Sequence, residues 1–237
     1  MPYLTVEEMR AHPDLLKQDV KMEEGGSRFA GSTDTGLALK YLGKDGVILE
    51  CGPSIGSFTK FLQEQGYRGI HALDFVDAMI FPDKSAVAFH AMDFNTDRMP
   101  YPDDFFDAAT AWGIAEHLEN PYHFLREIHR VLKPGGILLF SVPSIFHWMS
   151  RLLFFKTGMF PRWNRRNNHI AIFPRGVLEK IVLRYFDEVE RRYTRPSFLL
   201  NRPGRLSCLL PENEWFGNYA AHVFKKKRFV PFGAKPR

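Results

Sequence analysis

Between residues 47 and 142, short apolar runs alternate with longer segments of helical period, and this alternation restricts the fold more than any other feature of the chain. VILEC (47–51) runs into a glycine-rich turn, and SFTKFLQEQ (57–65) follows it with helical spacing. GIHALD (69–74), AVAFHAMD (86–93) and FFDAATAW (105–112) read as further strands. PYHFLREIHRVLK (121–133) sets Phe124, Leu125, Ile128 and Leu132 on one face, an amphipathic helix stopped by Pro134, Gly135 and Gly136. The nearly unbroken apolar run GILLFSVP (136–143) suits a strand buried on both faces. Repeated units of this kind predict an α/β fold, a doubly wound parallel sheet with helices on both faces.

Outside that stretch the pattern changes. Residues 1–45 read as a helical lead-in or lid, broken by GGSRFAGSTDTG (25–36), and residues 46–237 as the main domain. Within it, 144–173 interleaves aromatic residues with arginines and reads as an inserted cap. PRGVLEKIVLRYF (174–186) returns to helical period, 187–194 and 217–224 supply two final strands, and 195–216 is a Pro-, Gly- and Arg-rich connection.

A hydrophobic fraction of 45% with 25% charged residues describes a soluble globular protein with a real core, and excludes a disordered chain, a collagen repeat or a coiled coil. No apolar run approaches the roughly 18 residues that span a bilayer. The opening MPYLTVEEMRAHPD lacks an apolar signal region. Cys51 and Cys208 are the only cysteines, which excludes a disulfide framework and a Cys-rich zinc site and fits a reducing compartment. A cytoplasmic protein is therefore expected. Charge is divided: 13 basic and 21 acidic residues through Ser150 give −8, whereas 19 basic and 6 acidic residues beyond it give +13. The basic third is either a solvated face or a contact for an anionic partner or surface, such as the periphery of a membrane.

LECGPSIGSF carries the chemistry. A strand entering a glycine turn and then a helix points backbone N–H groups at a ligand. Glu50 stands two residues before Gly52, where it would repel a pyrophosphate and suit a cationic ligand instead. The alternative is a purely structural turn.

The segment resembles the first motif of the class I S-adenosylmethionine-dependent methyltransferases, with Glu50, Gly52, Ser54 and Gly56 at the matching positions. Ser54 is a mild departure, since a small residue still lets the methionine moiety approach the backbone. DFVDAM, with Asp74 at a strand end, and AMDFN, with Asp93, resemble the family's second and third blocks. YPDDFFDAATAWGIAEHLENP, LREIHRVLKPGGILLFSVPS and NHIAIFPRGVLEKI resemble later blocks of the small-molecule, quinone-biosynthesis-type branch, so the likeness covers roughly residues 45–190. It implies a Rossmann-like, mostly parallel seven-stranded sheet. S-adenosyl-L-methionine would be the cofactor and S-adenosyl-L-homocysteine its product. Asp74 would hold the ribose hydroxyls and Asp93 the adenine amino group; Phe75, Phe94, Trp112 and Gly113 would line the same site. Arg28 would be a further partner for the donor's carboxylate, with an ordinary solvated arginine as the alternative.

On the acceptor side, His117 in AEHL is the candidate general base and His169 a weaker one, each with a structural role as the alternative; His147 flanks the same aromatic segment. No metal-ligand spacing is visible, and no metal is expected. WGIAEH stands where an exocyclic-amine methylase would carry N-P-P-Y or D-P-P-Y, and Cys51 lies inside the cofactor turn rather than at a cytosine nucleophile's place. The resulting expectation is methylation of a hydroxyl on a small molecule, a lipid-like intermediate or a sugar-containing glycan, with 144–173 capping the acceptor. RNA methylation through KKKR (225–228) and RWNRR (162–166), or a non-catalytic binding protein, are the alternatives.

Overall fold

The computed structural model of the chain describes residues 33–164, 167–194, 196–200 and 209–228, together with Glu8 and Ala11. Most of the expected lead-in, including Arg28, lies outside the described residues, as do Arg165, Arg166 and Cys208.

In chain order the elements are α1 (Thr33–Tyr41), β1 (Val47–Cys51), α2 (Ser57–Glu64), β2 (Gly69–Asp74), a 3-10 turn (Pro82–Ala86), β3 (Ala88–Ala91), β4 (Phe106–Trp112), a second 3-10 turn (Ala115–His117), α3 (Pro121–Val131), β5 (Leu132–Pro143), α4 (Trp148–Thr157), α5 (Arg175–Ile181), β6 (Phe186–Thr194) and β7 (Tyr219–Lys226). The seven strands form one sheet in the order β3-β2-β1-β4-β5-β7-β6. β1 to β5 pair in parallel, and β7 pairs antiparallel with both β5 and β6. This is the Rossmann-like sheet that the sequence predicts.

Side chains alternate across the sheet as strand geometry requires. Ile48, Ile70, Ala72, Ala108 and Leu139 face α1 and α2, where Leu37, Ala38, Phe58 and Leu62 complete one core layer. Leu49, Leu73, Ala109, Leu138 and Phe140 face the other way onto Phe124, Leu125 and Ile128 of α3 and Leu178 of α5.

Several boundaries differ from the sequence expectation. α3 ends at Val131 rather than residue 133, because the chain is already extended at Leu132 (φ −72°, ψ 140°), two residues before Pro134. Pro134 also pushes Lys133, the residue directly before it, out of the helical region, so the helix cannot resume. β5 accordingly begins at Leu132, and its register against β4 jumps from Phe106↔Leu132 to Ala108↔Ile137, so the Pro-Gly-Gly turn bulges out of a continuing strand. α5 is also short, closing at Ile181, before the fully buried Phe186 opens β6.

The described residues of the stretch 144–173 form α4 and a connecting loop. His147 caps α4 by accepting from the Met149 N–H, and the left-handed Gly158 closes it. Trp148 donates through Nε1 to the Phe198 carbonyl, and Arg151 pairs with Glu214 at 3.0 Å. The outward face keeps Leu152, Phe154 and Met159 exposed, with Phe155 at 89%.

Candidate functional site

Because β1 to β5 are parallel, their C-terminal ends open on one edge of the sheet. The connections lead away in opposite directions from β1 and β4, which lie side by side, and such a switch point leaves a crevice above the strand ends. The turn after β1 sits there. Gly52 (φ 72°), Ser54 (φ 53°) and Gly56 (φ 83°) are all left-handed. A Cβ on Gly52 would stand 2.1 Å from Cδ1 of Ile114, and one on Gly56 would stand 2.3 Å from Phe81. The turn is therefore clamped between the segment after β4 and the segment after β2, and glycine is required at both positions for space as well as for φ.

Glu50 lies beneath this turn at 2% exposure. Its register neighbours are Ala72 on β2 and Thr110 on β4, small enough to leave room for a carboxylate. Thr59 Oγ1, one turn into α2, donates to it at 2.7 Å. Burial dominates, raising the acid to about 7; the Thr59 hydrogen bond opposes the shift, and the Asp74 charge adds to it.

Asp74, at the end of β2, accepts the Phe75 N–H on Oδ1 at 2.7 Å and the Ser54 N–H on Oδ2 at 3.3 Å. Burial raises it to about 6 against these two hydrogen bonds. Asp93 is buried beyond β3, and its Oδ1 accepts the Asn95 N–H at 2.9 Å. The Asn95 side chain accepts in turn from Asn120 N, which ties this loop to the start of α3. Phe75 and Trp112 are half-buried, whereas Phe94 is buried in the core against Phe124, with ring centroids 4.9 Å apart. Trp112 packs edge-on against Phe58, and its buried Nε1 has no hydrogen-bond partner among the described residues. Gly113 is left-handed and donates to the Ser141 carbonyl.

The fold brings His117 and His169 together, with ring centroids 4.7 Å apart. The Glu116 carbonyl accepts from both Ile170 N (2.8 Å) and Ala171 N (3.0 Å), which clips residues 170–171 onto the segment after β4. Burial, then His117, then Arg162 lower His169 to about 4, so its imidazole is neutral at physiological pH. His147 stands apart: its ring accepts from Met149 N and meets the Ser197 carbonyl, which gives it a helix-capping role. Sequence reasoning missed Ile114, Phe81, Thr59 and Glu116. Thr59 had a signal, as a polar residue within the apolar stripe of α2; Glu116 stood beside a candidate histidine.

A family profile described as a methyltransferase domain matches residues 27–185. The chain belongs to the class I S-adenosylmethionine-dependent methyltransferases. This methyltransferase is 29% identical over 127 residues to malonyl-[acyl-carrier protein] O-methyltransferase of Serratia marcescens, covering 48% of this chain and 49% of that one. It is 40% identical over 110 residues to a ubiquinone/menaquinone biosynthesis C-methyltransferase of Vibrio campbellii, covering 41% and 42%. The chain thus spans about half the length of the curated relatives it matches. Among solved structures it shares its fold with the 1,6-didemethyltoxoflavin-N1-methyltransferase of Burkholderia thailandensis, which holds S-adenosylhomocysteine, at a TM-score of 0.60 and 20% identity over 96% of this chain and 93% of that one.

The methyltransferase's donor is S-adenosylmethionine. The site's chemistry fits it. The donor is cationic at its methionine end and carries a ribose diol at the other, and the crevice offers two carboxylates. Each Asp74 oxygen takes one backbone N–H, which leaves acceptor capacity for hydroxyl donors.

The upward shift of the Glu50 carboxyl has a stability consequence. The donor-free fold prefers the protonated acid, so this contribution is full below the ordinary value of 4.5 and is lost as pH rises through about 7. Glu50→Gln keeps an acceptor for Thr59 and removes the buried charge. It should stabilise the donor-free protein at pH 8 by about 1–3 kcal/mol and flatten the decline of stability between about pH 5 and 8. Urea unfolding across that range checks this; parallel curves for variant and wild type would refute it.

Proposed function

We propose that this methyltransferase transfers the methyl group to a hydroxyl of a small, lipid-like or sugar-containing acceptor. Ile114 packs over Gly52, and His117, three residues further along, packs beside His169, so the segment that touches the glycine turn also carries a proton-accepting group. That juxtaposition carries the reading.

S-adenosylmethionine supplies a methyl already activated on a sulfonium, so alignment is the protein's main contribution. In this proposal the 52–56 turn and Glu50 receive the methionine end, and a cation beside Glu50 restores its ionised form. Asp74 and Phe75 take the ribose side, Asp93 the adenine side with Phe94 packed behind it, and the Trp112–Gly113 backbone borders the methionine moiety. A hydroxyl acceptor must lose its proton as the methyl arrives, and His117, with His169 beside it, is assigned that task.

The acceptor class rests on the cap. Its outward face joins exposed Phe155, Phe154, Leu152 and Met159 to Lys156, a composition that favours an amphipathic acceptor or an anionic membrane surface over RNA. Two arginines of this segment are engaged by neighbouring side chains. Arg151 pairs with Glu214 and stacks on Trp215, and the buried Arg162 donates to Asn218 over the face of Tyr219. Among the described residues no helix is long and apolar enough to cross a membrane. A cytoplasmic location with peripheral membrane contact is the companion proposal.

Asp74→Ala should weaken S-adenosylhomocysteine binding by roughly 1.5–3 kcal/mol, the cost of charge-assisted hydrogen bonds left unmade. Calorimetry giving unchanged affinity would sink the ribose assignment. His117→Ala should lower turnover by about 10²–10⁴-fold with donor affinity kept. Transfer of labelled methyl into a small-molecule fraction that co-purifies with the protein provides the readout. Near-normal turnover would return His117 to a structural role and leave alignment as the main catalytic device.

A further inference from the structure

We propose that Glu116, His117 and His169 form a site for one divalent transition cation at the acceptor side of the crevice. The proposal rests on the preceding reading and deepens it: with a cation held there, His117 serves as a ligand, and the cation lowers the pKa of the acceptor hydroxyl in place of proton transfer to a free imidazole. One ligand atom from each of the three residues lies within 4.8 Å of the other two. Ligands held about 2.0–2.1 Å from a common ion stand about 3.3–4.2 Å apart, so an inward adjustment of about 1 Å brings the three into range.

Three features make this more than a chance cluster. The donor set is two imidazoles and one carboxylate, the mixed N/O chemistry that suits zinc, cobalt or manganese better than magnesium or calcium. The backbone presets it: Glu116 and His117 are adjacent, and the hydrogen bonds from Ile170 N and Ala171 N to the Glu116 carbonyl place His169 beside them from 52 residues further along the chain. His169 Nδ1 is a buried ring nitrogen with no hydrogen-bond partner among the described residues, although the Trp163 ring (centroids 5.6 Å apart) and the His117 ring both pack against the imidazole. A neutral imidazole nitrogen in that setting is a ready ligand. Among the described residues, the Arg162 guanidinium, which lowers His169 through its charge, is turned onto Asn218 and Tyr219, and Glu116 supplies the negative charge a dication needs. Three protein ligands leave coordination positions open, which oxygens of an acceptor or water would fill. The sequence hid this site because a single histidine far from the Glu-His pair matches no ligand spacing.

The test uses the full chain, without an affinity tag and stripped by chelator, titrated with Co²⁺ while visible ligand-field absorption is followed. One equivalent should bind, and Zn²⁺ should displace it. His117→Gln and His169→Gln should each weaken Co²⁺ binding by at least about tenfold. Both should still bind S-adenosylhomocysteine, which shows that the fold is intact. Should His169→Gln fail to fold, His117→Gln decides alone. A wild-type chain that binds S-adenosylhomocysteine but gives no stoichiometric Co²⁺ spectrum would overturn the cation site and leave the methyltransferase reading standing. A Co²⁺ spectrum unchanged in the histidine variants would overturn it equally, by placing the ion elsewhere. Loss of S-adenosylhomocysteine binding in the wild type would instead strike the donor assignment.

Discussion

Burying the Glu50 carboxylate beneath a glycine turn costs solvation that one hydroxyl, Thr59 Oγ1, restores only in part. That cost shapes its surroundings. Ala72 and Thr110 stay small beside it, and the turn above it closes over the acid through three left-handed residues. Ile114 and Phe81 then press on the two glycines that have no side chain to resist them. The connections after β1, β2 and β4 are therefore packed into one unit. An unpaired buried acid is a poor element of stability and a good receptor for a cation, because the charge it is denied in the empty fold becomes favourable once an opposite charge arrives.

The segment after β5 is held by a different device. Ile170 and Ala171 donate backbone hydrogen bonds to the Glu116 carbonyl, and α4 is anchored through His147, Trp148 and Arg151 to residues 197–198 and 214–215. Those anchors use the arginine and tryptophan side chains that would otherwise face outward. What remains exposed on α4 is chiefly apolar, with Phe155 foremost. The glycine turn and the segment after β5 thus meet at residues 113–117, with Gly52 against Ile114 on one side and the His117–His169 pair on the other.

Much of this was legible in the sequence. β1 and β2 fall where the apolar runs place them, since a parallel strand buried on both faces leaves an unbroken signal. The Glu50, Gly52 and Gly56 pattern announced the turn, because only a left-handed backbone under close packing needs glycines at that spacing. The later parts were harder. The β5 bulge follows from a proline and two glycines that also read as a plain helix stop. Phe94 reads as a cofactor neighbour beside Asp93, and the turn after β3 packs it against Phe124. The pairing of His117 with His169 depends on a backbone clip between distant segments, and no local pattern encodes it.

The central claim is that the ends of β1, β2, β3 and β4 form one donor site organised around Glu50 and Asp74. Amide hydrogen exchange of the full chain, with and without saturating S-adenosylhomocysteine, tests it most directly. The account predicts new protection concentrated at residues 50–56, 74–76, 93–95 and 112–114, with β6 and β7 unchanged. Protection that appears elsewhere and spares the 52–56 turn would contradict it.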